Sequence, residues 1–234
     1  MRGLIGNAHC VLFDFDGPVC HLFAARPADA VAGRLRQLAT GLEADLGLSR
    51  LMNEELQASP DPQRVLLGIA ARRPGWGVVQ RLEAALTREE IAAATTAQPT
   101  PYAAALIASL TARGRQVAVV TNNSPQAVER YLNQHQLAGF VGGRIHGRTG
   151  DLSQLKPNPD CVLRALRSTR TPAERALMIG DATTDFVAAR AAGVAFLGYA
   201  PNQAGADAFR AAGAEHLVRS LEEVLTALVT PAPE

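Results

Sequence analysis

Short apolar runs that end abruptly in polar residues recur along this chain and restrict the folds open to it. Three runs are clear and two are weaker: 10–13, 116–120 and 176–179, then 194–197 and 216–218. An apolar run with no polar alternation leaves no face for water, which is typical of strands buried on both faces of a parallel sheet. The sequence therefore predicts a parallel β-sheet covered by helices.

Helix start signals stand between these runs. Ser124, Asn158 and Thr171 each precede a proline, so a capping side chain stands before a residue suited to the first helical turn. Thr171 and Glu174 also have the spacing of a capping box. The repeated order of strand, loop and helix indicates an α/β fold with a doubly wound (Rossmann-like) parallel sheet.

The alternation stops between residues 24 and 97, where only helical patterns occur. Helices are predicted over 28–46, 50–57, 63–72 and 78–94. A helical block inserted after the first strand predicts an all-helical cap (lid) domain with hinges near 20–26 and 95–101. The predicted domains are an α/β core formed by 1–22 and 97–234, and a cap formed by 23–96.

Composition narrows the possible partners. The formal net charge is +1 over 234 residues, so the chain lacks the basic excess that favours nucleic acid or an acidic membrane surface. The three cysteines, Cys10, Cys20 and Cys161, indicate neither a disulfide framework nor a zinc site. No apolar run reaches the roughly 18 residues of a membrane span. We expect a cytoplasmic monomer or homodimer with no nucleic-acid or membrane partner.

Polar residues follow the predicted strands at the edge where an open parallel sheet binds ligands. They come from four segments: Asp14 and Asp16, Thr121 and Asn122, Lys156, and Asp181 and Asp185. Carboxylates crowded at one rim repel one another, and a hard cation with oxygen ligands relieves that repulsion. Mg²⁺ keeps positions for substrate oxygens, and a phosphate supplies them. The pattern favours a magnesium site that binds a phosphorylated molecule.

Two of these carboxylates are suited to divide the chemistry between them. Asp14 and Asp16 are two residues apart on a strand continuation, so their side chains point the same way. One can attack phosphorus while the other handles the proton.

Lys156 is the only lysine among 23 basic residues, the other 22 being arginine. An ammonium is a compact point charge that fits between closely packed oxygens, whereas a guanidinium is a planar fork. Arginine bias in genome composition also explains a lone lysine. Its place among the carboxylates favours a role beside an anion.

Four motifs carry a resemblance to a known family: Asp14-Phe15-Asp16-Gly17, Thr121-Asn122, Lys156-Pro157, and Gly180-Asp181 with Asp185. In this order and spacing they resemble the haloacid dehalogenase superfamily. The chain is similar over nearly its whole length to the phosphoglycolate phosphatase and β-phosphoglucomutase branch, whose helical cap follows the first strand. The resemblance implies a Mg²⁺-dependent phosphatase that hydrolyses a small phosphorylated metabolite, phosphoglycolate-like or sugar-phosphate-like, through an aspartyl-phosphate.

The resemblance also implies roles for the individual residues of the first motif and the lysine. Asp14 would be the nucleophile and would bind Mg²⁺ through its other oxygen. Asp16 would be general acid and then base, with its backbone carbonyl on the metal. Lys156 would screen the nucleophile and the transferring group and contact the substrate.

The remaining motifs would bind phosphate and metal. Thr121 and the Asn122 amide would bind phosphoryl oxygens. Asp181 would be a metal ligand, directly or through water, and Asp185 would support or join that ligand set.

Departures from the family pattern leave the substrate open. Pro18 and His21 stand where the family has a threonine or small apolar residue and an acid. A phosphosugar mutase and a non-catalytic domain that binds a phosphometabolite are alternatives, whereas a carbon–halogen hydrolase has no use for Asp16 and Mg²⁺.

Overall fold

A computed structural model describes residues 2–45, 51–72 and 76–229. The chain divides into two compact units. The core unit comprises Met1–His21 with Gln98–Glu234, and the helical unit comprises Leu22–Ala97. Among the described residues no helix has the length and apolar character to cross a membrane.

Within the described ranges of the chain, eight strands form two sheets. In chain order they are β1 (Cys10–Phe13), β2 (Cys20–His21), β3 (Gln98–Pro99), β4 (Gln116–Val120), β5 (Ile145–His146), β6 (Ala176–Gly180), β7 (Ala195–Tyr199) and β8 (Leu217–Val218). Six of them form one parallel sheet in the order β5-β4-β1-β6-β7-β8. The strands β2 and β3 pair antiparallel as a separate ribbon.

The part of the chain that the structure describes also contains twelve α-helices. They are α1 (Arg2–Asn7), α2 (Ala28–Asp45), α3 (Glu54–Ala58), α4 (Pro62–Arg72), α5 (Trp76–Ala94), α6 (Ala103–Ala112), α7 (Pro125–Gln134), α8 (Ala138–Val141), α9 (Asp160–Thr169), α10 (Thr183–Ala191), α11 (Gln203–Ala211) and α12 (Leu221–Val229).

The two faces of the large sheet are covered by different helices. Cys10 and Leu12 of β1 share a buried cluster with Met178 of β6 and with residues of α9, α10 and α11. Successive strand residues point to opposite faces, so Val11 and Phe13 are buried on the other side. There α1 and α6 pack against β6 and β4, and α12 packs against both helices. This arrangement confirms the predicted doubly wound sheet.

The strong strand predictions agree with the structure, and the weaker ones shift. The run predicted at 194–197 forms β7 one residue later, and the run at 216–218 keeps only Leu217–Val218. The predicted helix start at Thr171 is wrong, because β6 begins at Ala176 and leaves room for only a 3₁₀ turn, Ala173–Arg175. The start at Ser124 is confirmed, since its side chain accepts a hydrogen bond from the backbone N–H of Ala127.

The helical unit contains α2 to α5, with α2 packed against α4 and α5. The segment predicted as a helix over 50–57 begins at Glu54, because Asn53 caps it by accepting a hydrogen bond from the Leu56 N–H. Residues 46 and 50, which the predictions also assigned to helices, lie outside the described residues.

Candidate active site

The carboxyl edge of the parallel sheet collects the polar residues from separate segments. Asp14 directly follows β1, and its N–H donates to the Ile179 carbonyl at 2.9 Å, so it extends the ladder between β1 and β6. Thr121 follows β4, and Asp181 follows β6. Because these three strands are neighbours in the sheet, their ends present the three side chains side by side.

Lys156 lies in the loop before α9 and joins two of the carboxylates. Its Nζ is 2.8 Å from Asp14 Oδ1 and 2.6 Å from Asp185 Oδ1. The same Nζ donates to the Val120 carbonyl at 3.2 Å. The side chains of Lys156 and Asp185 are only 3% and 1% exposed, so this ion-pair network lies away from water. The structure thus brings the sequence-predicted lysine into contact with Asp14 and Asp185.

Three carboxylates at this edge are placed to share a cation. One oxygen each from Asp14, Asp181 and Asp185 lies within 4.8 Å of the other two. Asp14 Oδ1 and Asp185 Oδ1 are buried, and both rely on the single ammonium of Lys156 as a charged partner. Asp181 is exposed, which leaves the group open on one side. Hard carboxylate oxygens with one open side fit Mg²⁺, which keeps waters or substrate oxygens in its coordination shell.

The pKa shifts of these side chains also indicate an excess of negative charge at this edge. Burial, and then the charge of Asp185, raise the pKa of Asp14 from 3.8 to about 7, although Lys156 opposes the shift. Desolvation of the Asp181 carboxylate, and then the charge of Asp14, also raise the pKa of Asp181. Because the Asp181 side chain is exposed, solvent screens part of this effect. Burial opposes the charged form of Lys156, but Asp14 and Asp185 outweigh it and raise the pKa of its ammonium. One ammonium faces at least three carboxylates, which a bound dication balances.

Asp16 stands in the tight turn that follows β1. The N–H groups of Val19 and Cys20 both donate to the Phe15 carbonyl, at 3.2 and 3.1 Å, and close this turn. The Asp16 carboxylate is not one of the three grouped oxygens, but its negative charge raises the pKa of Asp181, so it lies close by. Ligation of a metal through the Asp16 backbone carbonyl stays a prediction.

Gly17 makes room for Asp181. Its φ of +108° is unfavourable for other residues, and a Cβ there would lie 2.2 Å from Asp181 Oδ2. The Gly17 carbonyl accepts a hydrogen bond of 2.5 Å from the hydroxyl of buried Thr100. Sequence reasoning missed Thr100, because its partner is 83 residues away and no local pattern marks the pair.

The loop after β4 holds Lys156 in place. The Asn122 Nδ2 donates to the Lys156 carbonyl at 3.1 Å, and the Lys156 N–H donates to Asn122 Oδ1 at 2.8 Å. The Asn122 side chain is therefore committed to the Lys156 backbone. The buried Thr121 hydroxyl donates to Asn123 Oδ1 at 3.0 Å and accepts from the Asn123 N–H at 3.1 Å. Phosphoryl binding by Thr121 and Asn122 stays a prediction.

Asp185 uses both carboxylate oxygens inside the protein. Its Oδ2 accepts a hydrogen bond of 3.1 Å from the N–H of Ala182, which fixes the start of α10. Its Oδ1 pairs with Lys156. Asp185 is thus placed to orient Lys156, and direct metal ligation by it stays a prediction.

His21 is, with Pro18, one of the two residues that depart from the family's sequence pattern. It is exposed at the end of β2, where it pairs with Gln98 of β3.

Comparison with known proteins gives a family and a fold. The family described as haloacid dehalogenase-like hydrolase matches residues 8–193. A phosphoglycolate phosphatase of Rhodospirillum rubrum is 38% identical over 94 residues, 40% of this chain and 38% of that protein. A plasmid-encoded phosphoglycolate phosphatase of Cupriavidus necator is 33% identical over 132 residues, 56% of each chain. The chain thus matches between 38% and 56% of the length of these relatives.

A solved structure extends the likeness to the whole fold. The crystal structure of CbbY from Rhodobacter sphaeroides in complex with phosphate aligns with a TM-score of 0.66 and 23% identity. The alignment covers 95% of this chain and 100% of that one, so the two chains share the fold.

The raised pKa of Asp14 predicts how pH affects stability without metal. A carboxyl whose pKa is higher in the folded state stabilises the protein fully below 3.8, and this contribution is lost as the pH rises through about 7. We expect the Tm in EDTA to fall between about pH 5 and 8, and Mg²⁺ to raise the Tm more at the higher pH. Thermal scans of the wild type, Asp14→Asn and the exposed-site control Asp207→Asn check this. Equal Mg²⁺ shifts in wild type and Asp14→Asn would contradict the cation site.

Substitution of Gly17 tests the close approach of Asp181. Gly17→Ala places a methyl group against the Asp181 carboxylate and is expected to weaken Mg²⁺ binding about 10- to 100-fold. Gly139→Ala is the matched control, because a Cβ there meets nothing within 4 Å. Isothermal titration with Mg²⁺ measures both variants, and unchanged affinity in Gly17→Ala would show that Asp181 does not need its observed position.

Proposed function

The chain belongs to the haloacid dehalogenase-like hydrolase family, and on that premise we propose that it is a Mg²⁺-dependent phosphatase. Its substrate would be a small phosphorylated metabolite, hydrolysed through an aspartyl-phosphate on Asp14. The observation that carries the proposal is the contact of one buried ammonium with Asp14 and Asp185, beside the exposed carboxylate of Asp181. The relatives named phosphoglycolate phosphatase support a phosphoric monoester as substrate.

Asp14 is the proposed nucleophile. One of its carboxylate oxygens attacks phosphorus, a P–O bond to Asp14 forms, and the bond to the leaving oxygen breaks. Asp16 protonates the leaving oxygen as general acid. In the second step Asp16 takes a proton from water, and that water displaces Asp14 from phosphorus to release inorganic phosphate. The two steps consume one water and regenerate both carboxyl groups.

The position of Lys156 supports this role for Asp14. A carboxylate attacks only in its ionised form, and burial disfavours that form at Asp14. Lys156, at 2.8 Å from Asp14 Oδ1, offsets this effect because its ammonium stays charged. Asp185, which holds the other side of the ammonium, keeps Lys156 directed at Asp14. Together these contacts orient the nucleophile and favour its ionised form, and a bound Mg²⁺ would supply the further positive charge that this form needs.

Asp14, Asp181 and the Asp16 backbone carbonyl are the groups proposed to hold Mg²⁺. When bound, Mg²⁺ neutralises carboxylate charge and withdraws charge from the phosphoryl oxygens. The exposed side of Asp181 leaves space there for the substrate. The backbone N–H of Asn122 is a proposed donor to the remaining phosphoryl oxygens, and so is the Thr121 hydroxyl once its proton turns away from Asn123 Oδ1.

The helical unit is the proposed cap (lid) domain that adds specificity. It is inserted between β2 and β3, which pair as Cys20 with Pro99 and His21 with Gln98. The chain therefore leaves and re-enters the core unit through one short antiparallel ribbon. We propose a phosphoglycolate-like or sugar-phosphate-like substrate whose non-phosphate part is selected by this unit.

Asp14→Asn tests the proposed nucleophile. The substitution keeps the shape but removes the attacking charge, so turnover should fall at least about 1,000-fold. A panel of phosphorylated metabolites and para-nitrophenyl phosphate, assayed by phosphate release with Mg²⁺ and with EDTA, measures the loss. Asp207→Asn, an exposed carboxyl on α11, should keep wild-type rates. Equal turnover by Asp14→Asn and wild type would reject the mechanism, and a requirement for a bisphosphate activator would favour a mutase.

Lys156→Arg tests whether the site needs an ammonium. The Lys156 Nζ approaches two carboxylate oxygens and the Val120 carbonyl together, in a space that a planar guanidinium does not match. We expect a folded protein with turnover reduced about 100-fold or more. The reverse exchange at an exposed site, Arg210→Lys, is the control. Near wild-type kcat in Lys156→Arg would show that the site does not need an ammonium, and that the single lysine reflects only the arginine bias of the sequence.

A further inference from the structure

Arg148 is a buried arginine that contacts the loop carrying Asn122. It is 4% exposed and follows β5 by two residues. Its Nη1 donates to the Asn122 carbonyl at 3.0 Å, and its backbone N–H donates to the Asn123 carbonyl at 2.9 Å. Both hydrogen bonds reach consecutive peptide groups of one loop. Arg148 thus fixes the path of the backbone directly after Thr121.

Gly147, which precedes Arg148, lies so close to the loop after β4 that a larger residue would not fit there. A Cβ at Gly147 would lie 2.5 Å from the Asn123 carbonyl oxygen. On the other side, the Thr121 N–H donates to the His146 carbonyl at 3.1 Å, which continues the pairing of β4 with β5. The end of β5 and the loop after β4 therefore form one tightly joined pair of segments, and Arg148 has a fixed position against Asn122.

Asn122 passes this constraint on to Lys156. Its amide group holds both the N–H and the carbonyl of Lys156, at 2.8 and 3.1 Å. The Lys156 Nζ in turn holds Asp14 and Asp185. A continuous series of contacts leads from the Arg148 guanidinium through the Asn122 peptide and side chain to the ammonium beside Asp14.

We propose that Arg148 is a positioning residue for Lys156 that acts through Asn122, and this inference rests on the proposed phosphatase function. A charged guanidinium forms a stronger hydrogen bond to a carbonyl than a neutral donor does, so it restrains the Asn122 peptide plane. Rotation of that plane moves the amide that holds Lys156. A displacement of about 1 Å at a reacting group can lower turnover about 100-fold.

Kinetics of Arg148 variants give the first test. In para-nitrophenyl phosphate assays with Mg²⁺, Arg148→Ala should lower kcat about 10- to 100-fold while KM changes little, since Arg148 acts on the nucleophile's partner. Arg148→Lys keeps a charged donor and should recover part of the loss. Arg144→Ala is the matched control, because Arg144 Nε likewise donates to a backbone carbonyl, that of Val117 in β4 at 2.9 Å, which is not part of the loop that holds Lys156. It should keep wild-type kcat.

A double-mutant cycle separates this path from the other contacts that Arg148 makes. Asn122→Ala breaks the link to Lys156, so Arg148→Ala should add little further loss of kcat in that background. Multiplicative losses in the double variant would overturn the proposal, as would wild-type kcat in Arg148→Ala. If circular dichroism shows Arg148→Ala unfolded, Arg148→Gln replaces it in the same cycle with the same criteria.

The two hypotheses fail in different ways. If wild type shows no Mg²⁺-dependent turnover above Asp14→Asn, the proposed function fails and this inference fails with it. If wild type turns over and Asp14→Asn does not, but the Arg148 and Asn122 losses multiply, only the positioning role is rejected.

Discussion

The contact of Lys156 with Asp14 and Asp185 is the interaction on which the rest of the site depends. All three side chains are buried, and an unpaired buried charge costs about 3–5 kcal/mol. Removal of Lys156 leaves two buried carboxylates without compensation, whereas removal of either carboxylate leaves Lys156 paired with the other. Asp185 also caps α10, so the same charge network fixes the start of a helix. The network therefore joins the stability of the fold to the orientation of the proposed nucleophile.

The order of the strands explains why this network forms at all. Because β1 lies between β4 and β6, the residues that follow these strands meet at one edge without long loops. Lys156 comes from outside the sheet, and Asn122 holds its backbone in place. A parallel sheet thus supplies the carboxylates in fixed positions, while a loop tied to a strand end supplies the cation. Because the sheet fixes the carboxylates and the Asn122 side chain fixes the backbone of Lys156, the like charges are held close together although they repel one another.

Sequence patterns predicted the parts of the fold that local physical rules determine. The strands β1, β4 and β6 are continuous apolar runs, and Ser124 is a local cap, so both were found. The two-residue strand β5 is too short to give a pattern. The capping signal at Thr171 failed because the strand that follows begins too soon for a helix to form.

The site shows the same division between local and long-range information. The motifs identified Asp14, Lys156 and Asp181 as residues of one edge because each stands at or beside a predicted strand end or helix start. The hydrogen bonds from Thr100 to Gly17 and from Arg148 to Asn122 join segments 83 and 26 residues apart, and no spacing rule connects them. The shapes of the Lys156 ammonium and the Arg148 guanidinium match the acceptors that each contacts. The compact ammonium of Lys156 lies between two carboxylates, and the long guanidinium of Arg148 reaches the Asn122 carbonyl from the segment that follows β5. In a chain with 22 arginines and one lysine, the cation at each of these two positions matches the shape of the acceptors around it.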